Sequence, residues 1–190
     1  MTITLYNTPQ GIFLRQLQLE DAHRLLELRI HNREAHAIYE PIREESFFTL
    51  DGQQRFLQQR LDDATADRGC LFGLFDLKDE RLIGQINISN IVRGVAQYAD
   101  IGYFINQGDA GKGHMTAALK LIVQYGFNAL RLHRLQACTL LHNEASQRVL
   151  LKAGFQSEGI SRRYLKIHGE WQDHRRFAVM VDDELDYLQG

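Results

Sequence analysis

Residues 107–116 read Gln107-Gly108-Asp109-Ala110-Gly111-Lys112-Gly113-His114-Met115-Thr116, a glycine-rich turn that runs directly into a long amphipathic segment ending at Leu130. A short apolar run, Ile101 to Ile105, precedes it. Strand, glycine turn and helix in that order build an anion site from main chain. Without Cβ atoms, successive N–H groups can converge on a phosphate. The helix that follows adds its unpaired first-turn donors and the positive end of its dipole. The stretch predicts a phosphorylated ligand, held by Gly108, Gly111, Lys112, Gly113, His114, Met115 and Thr116.

Spacing sorts the known phosphate loops. The nucleoside-triphosphate loop needs four residues between its glycines and then Gly-Lys-Ser/Thr, whereas Lys112 is followed by Gly113. The dinucleotide fingerprint needs Gly-x-Gly-x-x-Gly at the head of a parallel unit. Here the order is Gly-x-x-Gly-x-Gly, in mid-chain. Neither fits, and a plain strand-to-helix turn is the bland alternative.

Outward from the loop, the upstream sequence reads as three strands, Cys70 to Leu77, Leu82 to Val92 and Ala96 to Ile105. The turns Lys78-Asp79-Glu80-Arg81 and Arg93-Gly94 join them into an antiparallel meander. Ile12 to Leu17 is β-like, and Glu20-Asp21 opens a helix with Ala22, Leu25, Leu26, Leu28 and Ile30 on one side. Residues 31–50, around Tyr39-Glu40-Pro41, read as an irregular connection, and Asp51 to Asp67 as a second helix. Downstream come helix 113–130, strand Leu135 to Leu141, helix Glu144 to Ala153 stopped by Gly154, β-like Phe155 to Ser161 and Tyr164 to Ile167, and strand Trp171 to Val181. Antiparallel strands followed by a β-α-β-α-β half predict one α/β domain with a mixed sheet over residues 1–190.

The chain is 44% hydrophobic and 24% charged with a net charge of −2, which predicts a soluble globular protein with no nucleic-acid footprint. No apolar run reaches the roughly 18 residues of a membrane span, and Met1 to Gln10 do not read as a leader. Cys70 and Cys138 lack short-range partners and read as reduced, mostly buried thiols of a cytoplasmic protein. His31 and His36 stand five apart, His168 and His174 six, so neither forms the helical metal pair and no metal is expected.

Gly108-x-x-Gly111-x-Gly113 resembles the Gln/Arg-x-x-Gly-x-Gly/Ala pyrophosphate loop of GNAT-fold N-acyltransferases, which use acyl-coenzyme A. Asn143-x-x-Ser146-x-x-Val149-Leu150-x-Lys152-x-Gly154-Phe155 resembles the segment that lines the far side of the pantetheine arm. Phe72 to Asp76, Ile83-Gly84, Ser89 to Gly94, Tyr39 to Arg43, Glu158-Gly159 and Tyr164 to His174 are similar to the RimJ/RimL-type branch. The resemblance implies acetyl-CoA as cofactor, held by the loop, by Tyr103, Phe104 and Ile105, and by Asn143 and Ser146. It implies a protein N-terminal α-amine at alanine or serine as acceptor, ribosomal proteins being the type case, and a monomer or homodimer. A small-molecule amine (polyamine, amino acid or antibiotic) and a non-catalytic coenzyme A-binding module are the competing readings.

Direct attack in a ternary complex needs a group to take the amine proton, and a carboxylate, a histidine or an ordered water can do so. Asp100 is the base candidate, sharing a strand face with Gly102 and Phe104; the same residue reads equally as a surface carboxylate. Ser146 is the candidate donor to the leaving thiolate, or simply a capping residue. Tyr103 and Tyr164 are held in reserve, since strand aromatics usually lie in the core. Arg163-Tyr164-Leu165 lacks the glutamate that RimL-like proteins carry there, which favours a water-mediated base. Glu40, Glu44 and Glu45 suggest a negative mouth for a cationic acceptor, or only a solvated loop. Tyr164 joins Glu40 and Glu44 as a substrate-binding candidate, Trp171 reads as hairpin packing, and Cys138 lies near the expected thiol.

Overall fold

The computed structural model describes residues 3–183, so both ends of the expected 1–190 domain extend past the described residues. Eight strands form one sheet in the order β1-β2-β3-β4-β5-β6-β8-β7. They are β1 (Thr4–Asn7), β2 (Ile12–Gln16), β3 (Cys70–Asp76), β4 (Leu82–Val92), β5 (Tyr98–Ile105), β6 (Arg134–Leu140), β7 (Gln156–Ile167) and β8 (Glu170–Met180). Only β5 and β6 pair in parallel; every other neighbour is antiparallel. The expected mixed α/β sheet is what forms.

Strand alternation sends the two halves of the pattern to opposite faces. Ile12, Leu14, Ile86, Ile88 and Ile101 pack with Ala118, Leu119, Ile122 and Val123 of α4 (His114–Asn128). Phe13, Leu71 and Phe75 face the other way, against Leu25 and Leu28 of α1 (Ala22–His31) and Leu57 of α3 (Leu50–Thr65). Between α1 and α3 the chain breaks into a single helical turn, α2 (Arg33–His36), and two 3-10 turns, Ala37–Tyr39 and Glu45–Phe48. Thr49 closes this connection by capping α3, its Oγ1 accepting from Gly52 N–H at 3.1 Å. α5 (Glu144–Lys152) follows β6.

Two elements depart from expectation. β1 pairs along β2 from Thr4↔Arg15 to Asn7↔Ile12, although four residues give too short an alternation to read as a strand. The two β-like segments after Gly154 are one strand, β7, whose register with β8 shifts between Ser161 and Leu165; Arg163 sits there at φ 47° with its N–H on Asp173 Oδ1 at 2.8 Å.

The parallel pair positions the site. β5 and β6 are partners only at Tyr98↔Arg134, Ala99↔Leu135 and Asp100↔Gln136. Beyond these, β5 runs on to Ile105 and β6 to Leu140 without pairing to each other. A seam thus opens in the middle of the sheet, edged by strand N–H and C=O groups that lack a ladder partner on that side. No helix among the described residues is long and apolar enough to cross a membrane.

Candidate active site

At the open end of the seam, β5 passes into the glycine loop. Gln107–Asp109 form a 3-10 turn, Gly111 takes φ 77°, and Gly113 caps α4 at φ 88°. Both glycines adopt the left-handed region that side chains resist. A Cβ on Gly111 would meet nothing within 4 Å, so the loop's outer surface is open. Gly113 C=O accepts from Ala117 N–H at 3.0 Å, which starts the α4 ladder at Ala117. The first-turn N–H groups of His114, Met115 and Thr116 therefore have no intrahelical partner. Gly108 holds the position of the motif's Gln/Arg, so the main chain supplies the donors. The Met115 side chain is buried in the α4 core and His114 Nδ1 is buried without a partner, leaving these two residues their main-chain N–H for a ligand.

The loop is fixed from beneath by Asp109, only 5% exposed. Its carboxylate accepts from Arg81 Nη1 at 2.8 Å and Nη2 at 3.3 Å, Asn106 Nδ2 at 2.7 Å and Lys112 Nζ at 3.2 Å. The Arg81 guanidinium, outweighing the cost of burial, holds this carboxyl well below the usual range. Lys112 is thereby committed to Asp109, and its C=O accepts from Gln10 Nε2 at 2.8 Å. Asn32, at the end of α1, clamps the other flank: its Oδ1 accepts from Gln107 N–H at 2.9 Å and its Nδ2 donates to Asn106 Oδ1 at 3.0 Å. Free donors, glycine geometry and a rigid frame fit a pyrophosphate.

The base and acid candidates lie on opposite faces of β5. Asp100 stands at the last paired position of the seam, one oxygen accepting from Gln136 Nε2 at 2.7 Å, the other from Asn90 Nδ2 at 2.8 Å. Exposed Gly102 and then Phe104 follow on its face. Tyr103, on the other face, reaches α5: its hydroxyl lies 2.7 Å from Ser146 Oγ and donates to Ser146 C=O at 3.2 Å. Burial pushes the Tyr103 phenol above its ordinary value. Asn143 Oδ1 accepts from Ser146 N–H at 3.1 Å, so the helix cap also sets the serine in place. Cys138 lies on the part of β6 that has left β5, its thiol raised to about 11 by burial and therefore protonated.

The acceptor side corrects several expectations. Glu40 is bound by Arg29 Nη1 at 3.1 and 3.3 Å, and Glu45 by Arg33. Glu44 is exposed and its Oε2 accepts only a long 3.4 Å bond from Ser46 Oγ. Glu40 therefore does not stand alone as a negative charge: the cavity it lines also holds Arg29, Arg33, Arg43, His36 and His168, and Glu44 lines the adjoining groove. Trp171, opposite Lys166 in the β7–β8 hairpin, is 62% exposed. Tyr164 is not in the core either but 37% exposed, edge-on to His174 at 6.0 Å with Arg176 4.7 Å from its ring.

Sequence reasoning missed Arg29, Asn32 and Asp109. The first two carried a legible signal, since they fall on the stripe of Leu25 and Leu28, where a polar residue must be paired or functional. Asp109 offered none, because its partner Arg81 lies 28 residues away in a hairpin turn.

Comparison with known proteins adds to this geometry. Residues 12–156 match the family model described as Acetyltransferase (GNAT) domain. The chain is 39% identical over 173 residues to "Probable N-acetyltransferase YjcK" of Bacillus subtilis, covering 91% of this chain and 96% of that protein. It is 34% identical over 176 residues to the Escherichia coli ribosomal protein uS5-alanine N-acetyltransferase, covering 93% and 91%. The solved structure of Mycobacterium smegmatis RimJ in complex with CoA-disulfide superposes with a TM-score of 0.88 at 28% identity, covering 95% and 87%. The chain belongs to the GNAT family and is an acetyl-CoA-dependent N-acetyltransferase.

Proposed function

We propose that the acceptor is the N-terminal α-amine of a protein, at alanine or serine, of the kind a ribosomal protein presents. The observation that carries this reading is the end-to-end likeness to the E. coli protein named for acetylating an alanine of uS5. The open, side-chain-lined acceptor face agrees with it, since a chain terminus must enter where its remaining residues can leave.

Bound in the seam, acetyl-CoA supplies an activated acetyl thioester. The N–H groups from Gly111 to Thr116 hold its pyrophosphate, and the free edge of β5 at Tyr103, Phe104 and Ile105 aligns the pantetheine arm. Asp100 takes the amine proton, directly or through a water, while Asn90 and Gln136 keep its carboxylate oriented. Strand N–H groups near Phe104 donate to the carbonyl oxygen as its charge grows. Ser146 donates to the departing sulfur, and Tyr103, which keeps its proton, orients the serine hydroxyl. Glu40 acts by fixing Arg29, while Glu44 and Tyr164 line the acceptor rim.

Release of free thiol from acetyl-CoA tests the reading. Turnover on peptides beginning with Ala or Ser, abolished by N-terminal blocking, is the expected result. Turnover confined to polyamines, amino acids or aminoglycosides overturns it.

A further inference from the structure

The acceptor cavity carries a charge pattern that its proposed role leaves unexplained. About 170 Å³ in volume, it lies between α1–α2, the Ala37–Tyr39 turn and the β7–β8 turn. Phe104 of β5 adjoins it, with the rings of His36 and Phe104 5.1 Å apart. His168 N–H donates to Glu40 C=O at 3.0 Å, tying the β7–β8 turn over it, and Tyr39 lies 6.0 Å from His142 at the end of β6. Through His36 and Phe104 the cavity is in side-chain contact with β5, the strand that edges the seam. Typical pockets for drug-sized ligands measure about 300–1,000 Å³, so this one is of a size for a single side chain or a similarly small group.

Its lining holds three guanidinium groups, Arg29, Arg33 and Arg43, and one carboxylate, Glu40. Arg33 is matched by Glu45, outside the lining. Arg29 is 7% exposed, with its guanidinium 4.3 Å from the Phe104 ring centre and 5.4 Å from that of Phe47. All its described hydrogen bonds leave from Nη1 and go to Glu40, and its Nε is buried without a partner. A guanidinium has five donors in a planar fork, so a buried arginine used on one nitrogen keeps capacity for a second anion. Arg43 stacks on Phe47 at 4.9 Å and has no carboxylate partner among the described residues. Next to this cavity, a second groove shares Ile42 and Arg43 and adds Glu44, Arg55 and Arg60; Arg55 and Arg60 are paired with Asp51 and Asp63, so Arg43 is the guanidinium there without a carboxylate partner among the described residues.

We infer that this cavity selects acceptors with a carboxylate side chain, Asp or Glu, within the first few residues after the acetylated amine. Arg29 and Arg43 grip that carboxylate by charge-assisted hydrogen bonds. The same guanidiniums disfavour the ammonium form of the amine beside them and so favour the neutral nucleophile. The inference rests on the N-terminal α-amine reading and adds a specificity determinant to it.

The test compares kcat/KM for peptides beginning with Ala that differ only in Glu, Gln or Lys at the second or third residue, with free glutamate as a further acceptor. Wild-type protein should favour the Glu over the Lys peptide by about tenfold, and added salt should shrink that ratio. Arg43→Glu should abolish or invert it, and Arg29→Lys should reduce it. Each ratio is taken within one preparation, so partial misfolding of a variant cancels. Equal acetylation of Glu and Lys peptides by the wild type overturns the inference and leaves the α-amine reading standing. Turnover only on free glutamate or other small amines overturns both.

Discussion

In the proposed reading, the part of the molecule that meets the phosphates is made of main chain and the part that meets the acceptor is made of side chains. Residues 107–116 supply N–H groups from one continuous turn, and the partners around them fix that turn without entering it. The acceptor cavity gathers Arg29, Glu40, Arg43 and His168 from segments up to 139 positions apart (168 − 29). A main-chain site depends on backbone dihedrals and tolerates many side chains. A side-chain site can change specificity by one substitution while the fold stays as it is. One architecture can therefore keep one cofactor and vary its acceptors.

This contrast can be broken by experiment. The largest effect is expected from Asp100→Asn, which keeps the bond from Gln136 or Asn90 but removes the proton acceptor. kcat should fall by about 10²- to 10³-fold with little change in KM for acetyl-CoA. Steady-state kinetics checks this, and an unchanged kcat would leave Asp100 as a strand clamp only. Gly113→Val should do the opposite. A β-branched residue at φ 88° disturbs the first turn of α4, so KM for acetyl-CoA should rise by about tenfold to a hundredfold whichever acceptor is used. If the rise depended on the acceptor, the two halves would not be separable.

The smallest effect tests the frame beneath the loop. Asp109→Asn leaves Arg81 and Lys112 without their shared carboxylate and should cost about 1–3 kcal/mol of stability, toward the low end because both cations are about half exposed. The folded carboxyl is depressed, so its contribution is fully present above the unfolded value of about 3.9 and is lost as pH falls toward the folded one. Thermal denaturation should separate wild type and variant at pH 7, and the gap should narrow below about pH 4. A gap that did not change with pH would show that the carboxylate's charge contributes nothing.

The same division explains what could be read in advance. β4 has the predicted bounds, Leu82 to Val92, because its turns and alternation are local signals. The glycine loop was legible for the same reason, spacing being a sequence property. The pairing of Glu40 with Arg29 and of Glu45 with Arg33 was not legible, because the partners lie 11 and 12 residues upstream and charges counted along a loop take no account of folding. Arg163 shows the limit for strands: a residue at φ 47° that bulges β7 has no glycine or proline to announce it.

The three-residue pairing of β5 and β6 also bears on how long the protein lasts. A sheet ladder that stops partway leaves two strand edges whose hydrogen bonds fall to water or to a bound guest. A guest that binds the native but not the unfolded chain adds about 2.7 kcal/mol at a hundred times its Kd. Resistance to proteolysis should therefore rise with the saturation of the seam by acyl-CoA.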